Sequence, residues 1–179
     1  MEPLAQLDQL MPALGGLVTT ITPDELDERT PCTEFTVRGV LEHMVGGAAQ
    51  FAAAYRGDEP HEFDTADILP EWERAMTELA AAIRAPGALE KEVAAPFGVV
   101  SGETFARFVA FDGLVHGWDI ARATGRAYDP PDELVAAVDE FAHGAVDPLR
   151  DGRTFAAATV APAGADPLTR LAAYTGRTV

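Results

Sequence analysis

Asp112 and His116 stand four residues apart in FVAFDGLVHGWDIARATG, residues 108–125. On a helix, that spacing puts both side chains on one face. The face is otherwise apolar. Phe105, Phe108, Val109, Val115, Ile120 and Ala123 recur at three- and four-residue steps and mark a stripe that a helix buries. A carboxylate and an imidazole turned toward a core are costly unless something satisfies them. A His–Asp hydrogen bond without metal would do so, and so would a bound ion. His43 completes the second reading. It lies beside the stripe Val37, Val40, Leu41, Met44, Val45, Ala48, Phe51, Ala52 and Tyr55, with Gly39, Gly46 and Gly47 as near neighbours on the same helix. Each glycine costs about 1 kcal/mol in a helix relative to alanine. Three around one histidine imply that something bulky approaches the backbone there: a packed helix, a ligand or a metal site. His43, Asp112 and His116 together offer two imidazoles and one carboxylate, a set that leaves a position open on a catalytic divalent ion. The D-x-x-x-H spacing alone is weak. Its setting on an apolar stripe, with Gly113 and Gly117 directly after the two polar residues, singles it out.

Asp119, three residues beyond His116, falls on nearly the same face. It is a candidate acceptor for an imidazole N–H, or an ion-pair partner for Arg38 or Arg122. Trp118 projects about 100° away from its neighbours on a 3.6-residue helix, so core packing or a pocket rim is its expected role. Other chemistries find less support. The chain has no G-x-S-x-G, no phosphate-binding glycine loop and no C-x-x-C. Cys32 has no base near it in sequence and reads as a buried, inert thiol. His61, between Pro60 and Glu62, and His143, off its helix's stripe, read as solvated.

The elements that must position these residues are helical. PLAQLDQLMPALGGLVTTI, residues 3–21, carries the first stripe, with Pro12 and Gly15–Gly16 as weak points. Residues 22–36 form a connector whose TPD start suits one short helical turn. Thr36 caps the helix of His43 and Gly57 stops it. A third helix is expected from Pro70 to Arg84. Residues 85–102 break the pattern at Pro86–Gly87, Pro96 and Gly98, and predict an irregular excursion with at most a short strand in EKEVAAP or FGVV. Ser101 opens the helix of Asp112 and His116, and Gly125 closes it. A fifth helix starts near Asp129 or Pro130, with Pro131, Asp132 and Glu133 in its first turn. From Gly152 the chain reads as extended, followed by a short helix capped by Asp166 with Pro167 first. The class is all-α: a four-helix bundle with one extra helix and a short C-terminal helix. Inward-pointing side chains build metal sites in such bundles.

With 179 residues, one domain spanning 1–179 is expected, and 47% hydrophobic content suffices for a core. A net charge of −16 repels nucleic acid and anionic membrane surfaces. A single cysteine precludes an intrachain disulfide and favours a reducing compartment. With neither a leader nor a transmembrane run expected, a cytoplasmic protein is the prediction.

TPCTEFTVRGVLEHMVGG resembles the N-terminal signature of the branch of the DinB-like superfamily that is named for mycothiol-dependent maleylpyruvate isomerase. FDGLVHGWDIARATGR is similar to its second motif, and VAPAGADPLTRLAAYTGR to the closing segment of small single-domain actinobacterial members. The resemblance implies an up-down-down-up bundle holding zinc or nickel through one histidine and an acid-x-x-x-His pair, positions that match His43, Asp112 and His116. It implies mycothiol as cosubstrate. The departures are an aspartate where the isomerase pattern has glutamate, Phe35 where tryptophan is common, and the expected lack of the isomerase's second, C-terminal domain.

Two functions follow as expectations. One is a metal-dependent enzyme that activates a low-molecular-weight thiol toward an electrophile, for S-transfer or isomerisation. The other is a non-catalytic metal-binding or regulatory bundle, marked by a closed shell with His143 or His61 as a fourth ligand. A hydrolase using metal-bound water would draw on the same three ligands. A homodimer through one exposed bundle face fits either.

Overall fold

Amphipathic helices bury their stripes against one another. Here α1 (Pro3–Val18) packs mainly along α4 (Gly102–Thr124), and α2 (Val37–Arg56) along α3 (Ile68–Ile83). α2 also meets α4, and the polar cluster lies where they meet. α5 (Asp132–Ala145) lies against α4 and α1, and α6 (Pro167–Tyr174) against α4 and α5. This computed structural model describes residues 1–95, 98–150 and 154–179. One apolar core runs through all six helices, with Leu10, Leu41, Phe105, Leu114, Leu134 and Leu171 fully enclosed. No helix among the described residues is long and apolar enough to cross a membrane.

The helix caps form as the local chemistry dictates. Thr36 Oγ1 accepts from Gly39 N at 3.2 Å, Ser101 Oγ from Thr104 N at 3.1 Å and Asp166 Oδ1 from Thr169 N at 2.8 Å. The expected turn at TPD is a short 3₁₀ segment, Pro23–Glu25. Three boundaries differ from expectation, and so does one connector. α1 ends at Val18 rather than residue 21, because Thr19 and Thr20 turn their hydroxyls back onto the carbonyls of Gly16 and Leu17. α3 starts at Ile68, two residues before Pro70, since a proline in the first turn removes an N–H that has no helical partner anyway. α5 starts at Asp132: Pro130 cannot be helical before Pro131, and Pro131 itself stays extended at ψ 136°. The excursion 85–102 is more regular than expected, with β1 (Glu92–Ala95) and β2 (Gly98–Ser101) paired antiparallel. The expected break at Pro96 and the start of the tail at Gly152 lie outside the described residues. Gly102 lets the chain at Ala88 cross the start of α4, since a Cβ there would lie 2.0 Å from the Ala88 carbonyl oxygen.

Candidate metal centre

The site begins with the loop before α2. Thr30 is buried, and its hydroxyl lies 3.0 and 2.9 Å from the carbonyl oxygens of Cys32 and Phe35. Phe35 N donates to Cys32 O at 2.8 Å. This tight loop sets Phe35 over the first turns of α2. A Cβ on Gly39 would approach the Phe35 ring to 3.1 Å, and one on Gly46 would meet Phe63 at 3.5 Å. Of the three glycines around His43, only Gly39 makes room for a neighbour, the Phe35 ring; Gly46 and Gly47 would accept a Cβ at ordinary contact distance. On α4, a Cβ at Gly113 would come within 2.8 Å of Leu10, and one at Gly117 within 2.5 Å of Tyr128. The two glycines let α1 and the chain after α4 close on the helix behind Asp112 and His116.

α2 and α4 bring His43, Asp112 and His116 together. Their ligand-type atoms lie within 4.8 Å of one another. His43 Nε2 is 3.4 Å and His116 Nε2 3.5 Å from Asp112 Oδ1. The two imidazole centroids are 4.9 Å apart, and the Phe35 ring stands 5.6 Å from His43 and 6.4 Å from His116. The side chains of His43 and Asp112 are 42% and 39% exposed and that of His116 only 7%, so the cluster opens to solvent on one side.

His116 Nδ1 lies 3.0 Å from Asp119 Oδ2, and Asp119 is wholly buried. Its charge is met by Arg177, whose Nε lies 3.1 Å from Oδ1 and whose Nη2 donates to Oδ2 at 2.8 Å. Arg177 Nη1 also donates to Thr175 Oγ1 at 3.0 Å. Gly176, at φ 98°, turns the chain after α6 so that Arg177 comes back to α4. Neither arginine expected beside Asp119 is there. Arg38 Nη1 donates to Thr65 O at 3.1 Å, because its side of α2 faces the turn before α3, and Arg122 lies over the Trp118 ring at 5.8 Å. Trp118 is buried, donates to Thr169 Oγ1 at 3.3 Å and lines a separate cavity with Arg126 and Tyr128. Arg177 escaped the sequence reading because nothing local ties it to a residue 58 positions earlier.

The donor set fits a divalent cation. A neutral His116 that gives its Nδ1 proton to Asp119 turns the Nε2 lone pair toward the Asp112 carboxylate, and lone pairs so placed need a shared cation or proton between them. Hydrogen bonding to Asp112 raises the His43 pKa in spite of burial. Burial pushes the Asp112 carboxyl up, but His116, His43 and Arg177 outweigh it and hold it below its ordinary value. Asp119 is likewise pushed up by burial and held low by His116 and Arg177. Both acids thus favour the ionised form that would ligate or orient.

Cys32 is only half-buried, and with Glu34, Phe35 and Arg177 it lines a pocket of about 320 Å³ that opens on the triad. It is therefore not a core thiol as the sequence suggested. Burial raises its pKa, which keeps it protonated. His61 pairs with Glu78 at 3.2 Å, and His143 lies 3.6 Å from Asp139 with its ring against Tyr174. Neither joins the cluster as a fourth ligand.

A second cavity, of about 210 Å³, lies behind the triad between α1, α2, α3 and α4. It shares His43, Phe111, Asp112, Thr154 and Phe155 with the first. The triad therefore stands between a pocket that carries the charged groups of Glu34 and Arg177 and a chamber that is almost wholly apolar.

Comparison with known proteins agrees with this architecture. The family model described as the mycothiol maleylpyruvate isomerase N-terminal domain matches residues 7–121. An uncharacterised protein of Mycobacterium tuberculosis, found in two strains, is 32% identical across 100% of both chains. The crystal structures of a mycothiol-dependent maleylpyruvate isomerase and of a histidine-to-alanine variant superpose with a TM-score of 0.62, at 14% and 13% identity, over 76% of this chain. The match spans 66% of the isomerase chain.

Proposed function

From the premise that the chain belongs to the mycothiol maleylpyruvate isomerase N-terminal domain family, we propose that it is a metal-dependent enzyme activating a low-molecular-weight thiol of the mycothiol type for S-transfer or isomerisation. The observation that carries this reading is the convergence of His43, Asp112 and His116 with an open side, backed by Asp119. The three residues would hold zinc or nickel, and such an ion would stabilise the thiol substrate as its thiolate. Asp119, 3.0 Å from His116 Nδ1, would hold the ring proton there and leave the Nε2 lone pair free to ligate. Arg177 holds Asp119 ionised and in place. Phe35 covers one side of both imidazoles and keeps bulk water from that side. The pocket on this side places Glu34 and Arg177 beside the triad, where they would meet the polar groups of a hydrophilic thiol. A reducing cytoplasm is the compartment in which such a thiol stays reduced.

Metal analysis of the purified protein tests the reading. About one equivalent of divalent metal is expected, lost on His116→Ala. A metal-free protein whose stability is unchanged by that substitution would overturn it.

A further inference from the structure

The apolar chamber ends at His43 and Asp112, two of the three residues that would hold a metal. Its walls come from the stripes of four helices, with Leu14, Met44, Phe51, Met76, Leu79 and Phe105 among them. Among the described residues, only His43 and Asp112 of its lining are ionisable, and both stand at the end it shares with the other pocket. Among the described residues, no lysine or arginine lines it. A carboxylate inside would exchange its hydration for apolar walls, a costly transfer. An apolar molecule would lose nothing polar and would gain contact with walls that already exist.

Size and shape narrow the class. An apolar cavity of about 150 Å³ is enough for benzene, so one of about 210 Å³ suits a single ring with a small substituent. Phe51 and Phe105 pack edge to face with centroids 4.6 Å apart, and a ligand ring can extend that arrangement. Met11, Met44 and Met76 lie in the wall, and their unbranched thioethers adapt to occupants of different outline.

We propose that this chamber binds the electrophilic substrate, and that the substrate is a neutral aromatic or short branched-alkyl molecule rather than a dicarboxylate. The word electrophilic rests on the thiol-activating function proposed above; the binding preference rests on the chamber alone. The thiol then enters from the polar side, the apolar partner from within the bundle, and the two meet at His43 and Asp112.

The four methionines provide the test. Met11, Met44 and Met76 line the chamber, whereas Met1 lies against a different surface with Arg107 and Phe141. Methyl NMR of protein labelled at the methionine methyls, titrated with indole, should shift the three chamber resonances at one saturable site and leave Met1 unmoved. Maleate at the same concentration should shift none. Leu79→Trp, which fills the chamber, should weaken indole binding at least tenfold, with circular dichroism as the check on folding. Titration of the unaltered chain decides the matter even if that variant does not fold. Three unresponsive chamber methyls, or a response to maleate as large as that to indole, would overturn the proposal. The titration is repeated after chelation. Indole binding by protein that carries no metal as purified and takes up none when zinc or nickel is added keeps the chamber and removes the thiol-activating reading. Metal-loaded protein that ignores indole does the reverse.

Discussion

At the scale of single residues, the orientation of His116 depends on a side chain that touches neither His116 nor any other member of the triad. Arg177 neutralises Asp119, and Asp119 fixes the imidazole. Removing one partner of a buried ion pair leaves the other charge uncompensated and costs about 3–5 kcal/mol. Arg177→Ala should therefore lower the midpoint of urea unfolding by a corresponding amount, and Arg177→Lys, which keeps the charge but loses the fork, should fall between. Asp119→Asn should leave the helical content unchanged and weaken metal binding about 10–100-fold, because the amide no longer holds the Nδ1 proton as a carboxylate does. Competition with a chromogenic chelator reads that affinity. Unaltered affinity in the asparagine variant would show that Asp119 serves folding alone.

At the scale of elements, a pH-dependent tie joins the connector after α1 to the end of α4. The Glu25 carboxylate accepts from Arg126 Nη2 at 2.9 and 2.7 Å and from Thr22 N at 2.7 Å. The Arg126 hydrogen bond is the main cause that lowers its pKa from 4.5 to about 2. A carboxyl whose pKa is lower in the folded state adds stability above its unfolded value and loses it as pH falls through the folded value. The window here runs from about pH 4.5 down to about pH 2. Across it, the unaltered chain should lose stability more steeply than Glu25→Gln, followed as the urea midpoint against pH. Equal slopes would show that the pair contributes nothing to folding. Local elements were the most legible part of the chain. The caps at Thr36, Ser101 and Asp166 and the stops at Gly57 and Gly125 rest on chemistry within four residues, and each stands where that chemistry puts it. Boundaries moved only where threonines or prolines competed with the helix.

At the scale of the whole molecule, the bundle and the candidate metal centre share one fate. A ligand that binds only the folded chain stabilises it by about 2.7 kcal/mol at a hundredfold excess over its dissociation constant. Zinc or nickel should therefore raise the thermal midpoint in a concentration-dependent way, and His116→Ala should abolish the rise. A rise of equal size in the variant would place the ion elsewhere. The net charge of −16 acts at the same scale, against nucleic acid and anionic surfaces as partners.

The sequence by itself determined the helices, their buried faces and the pairing of Asp112 with His116. Each of these depends on the 3.6-residue period, and a period is written along the chain. Of the glycines around His43, Gly39 alone marked a close approach, that of Phe35. Tertiary structure alone decided that Phe35 would cover both imidazoles, that Cys32 would face the pocket and that Arg177 would answer Asp119. It also decided that the triad would divide a pocket edged by Glu34 and Arg177 from an apolar chamber. These depend on segments far apart in the chain meeting in space, and such meetings leave no local pattern because packing, rather than spacing, selects them.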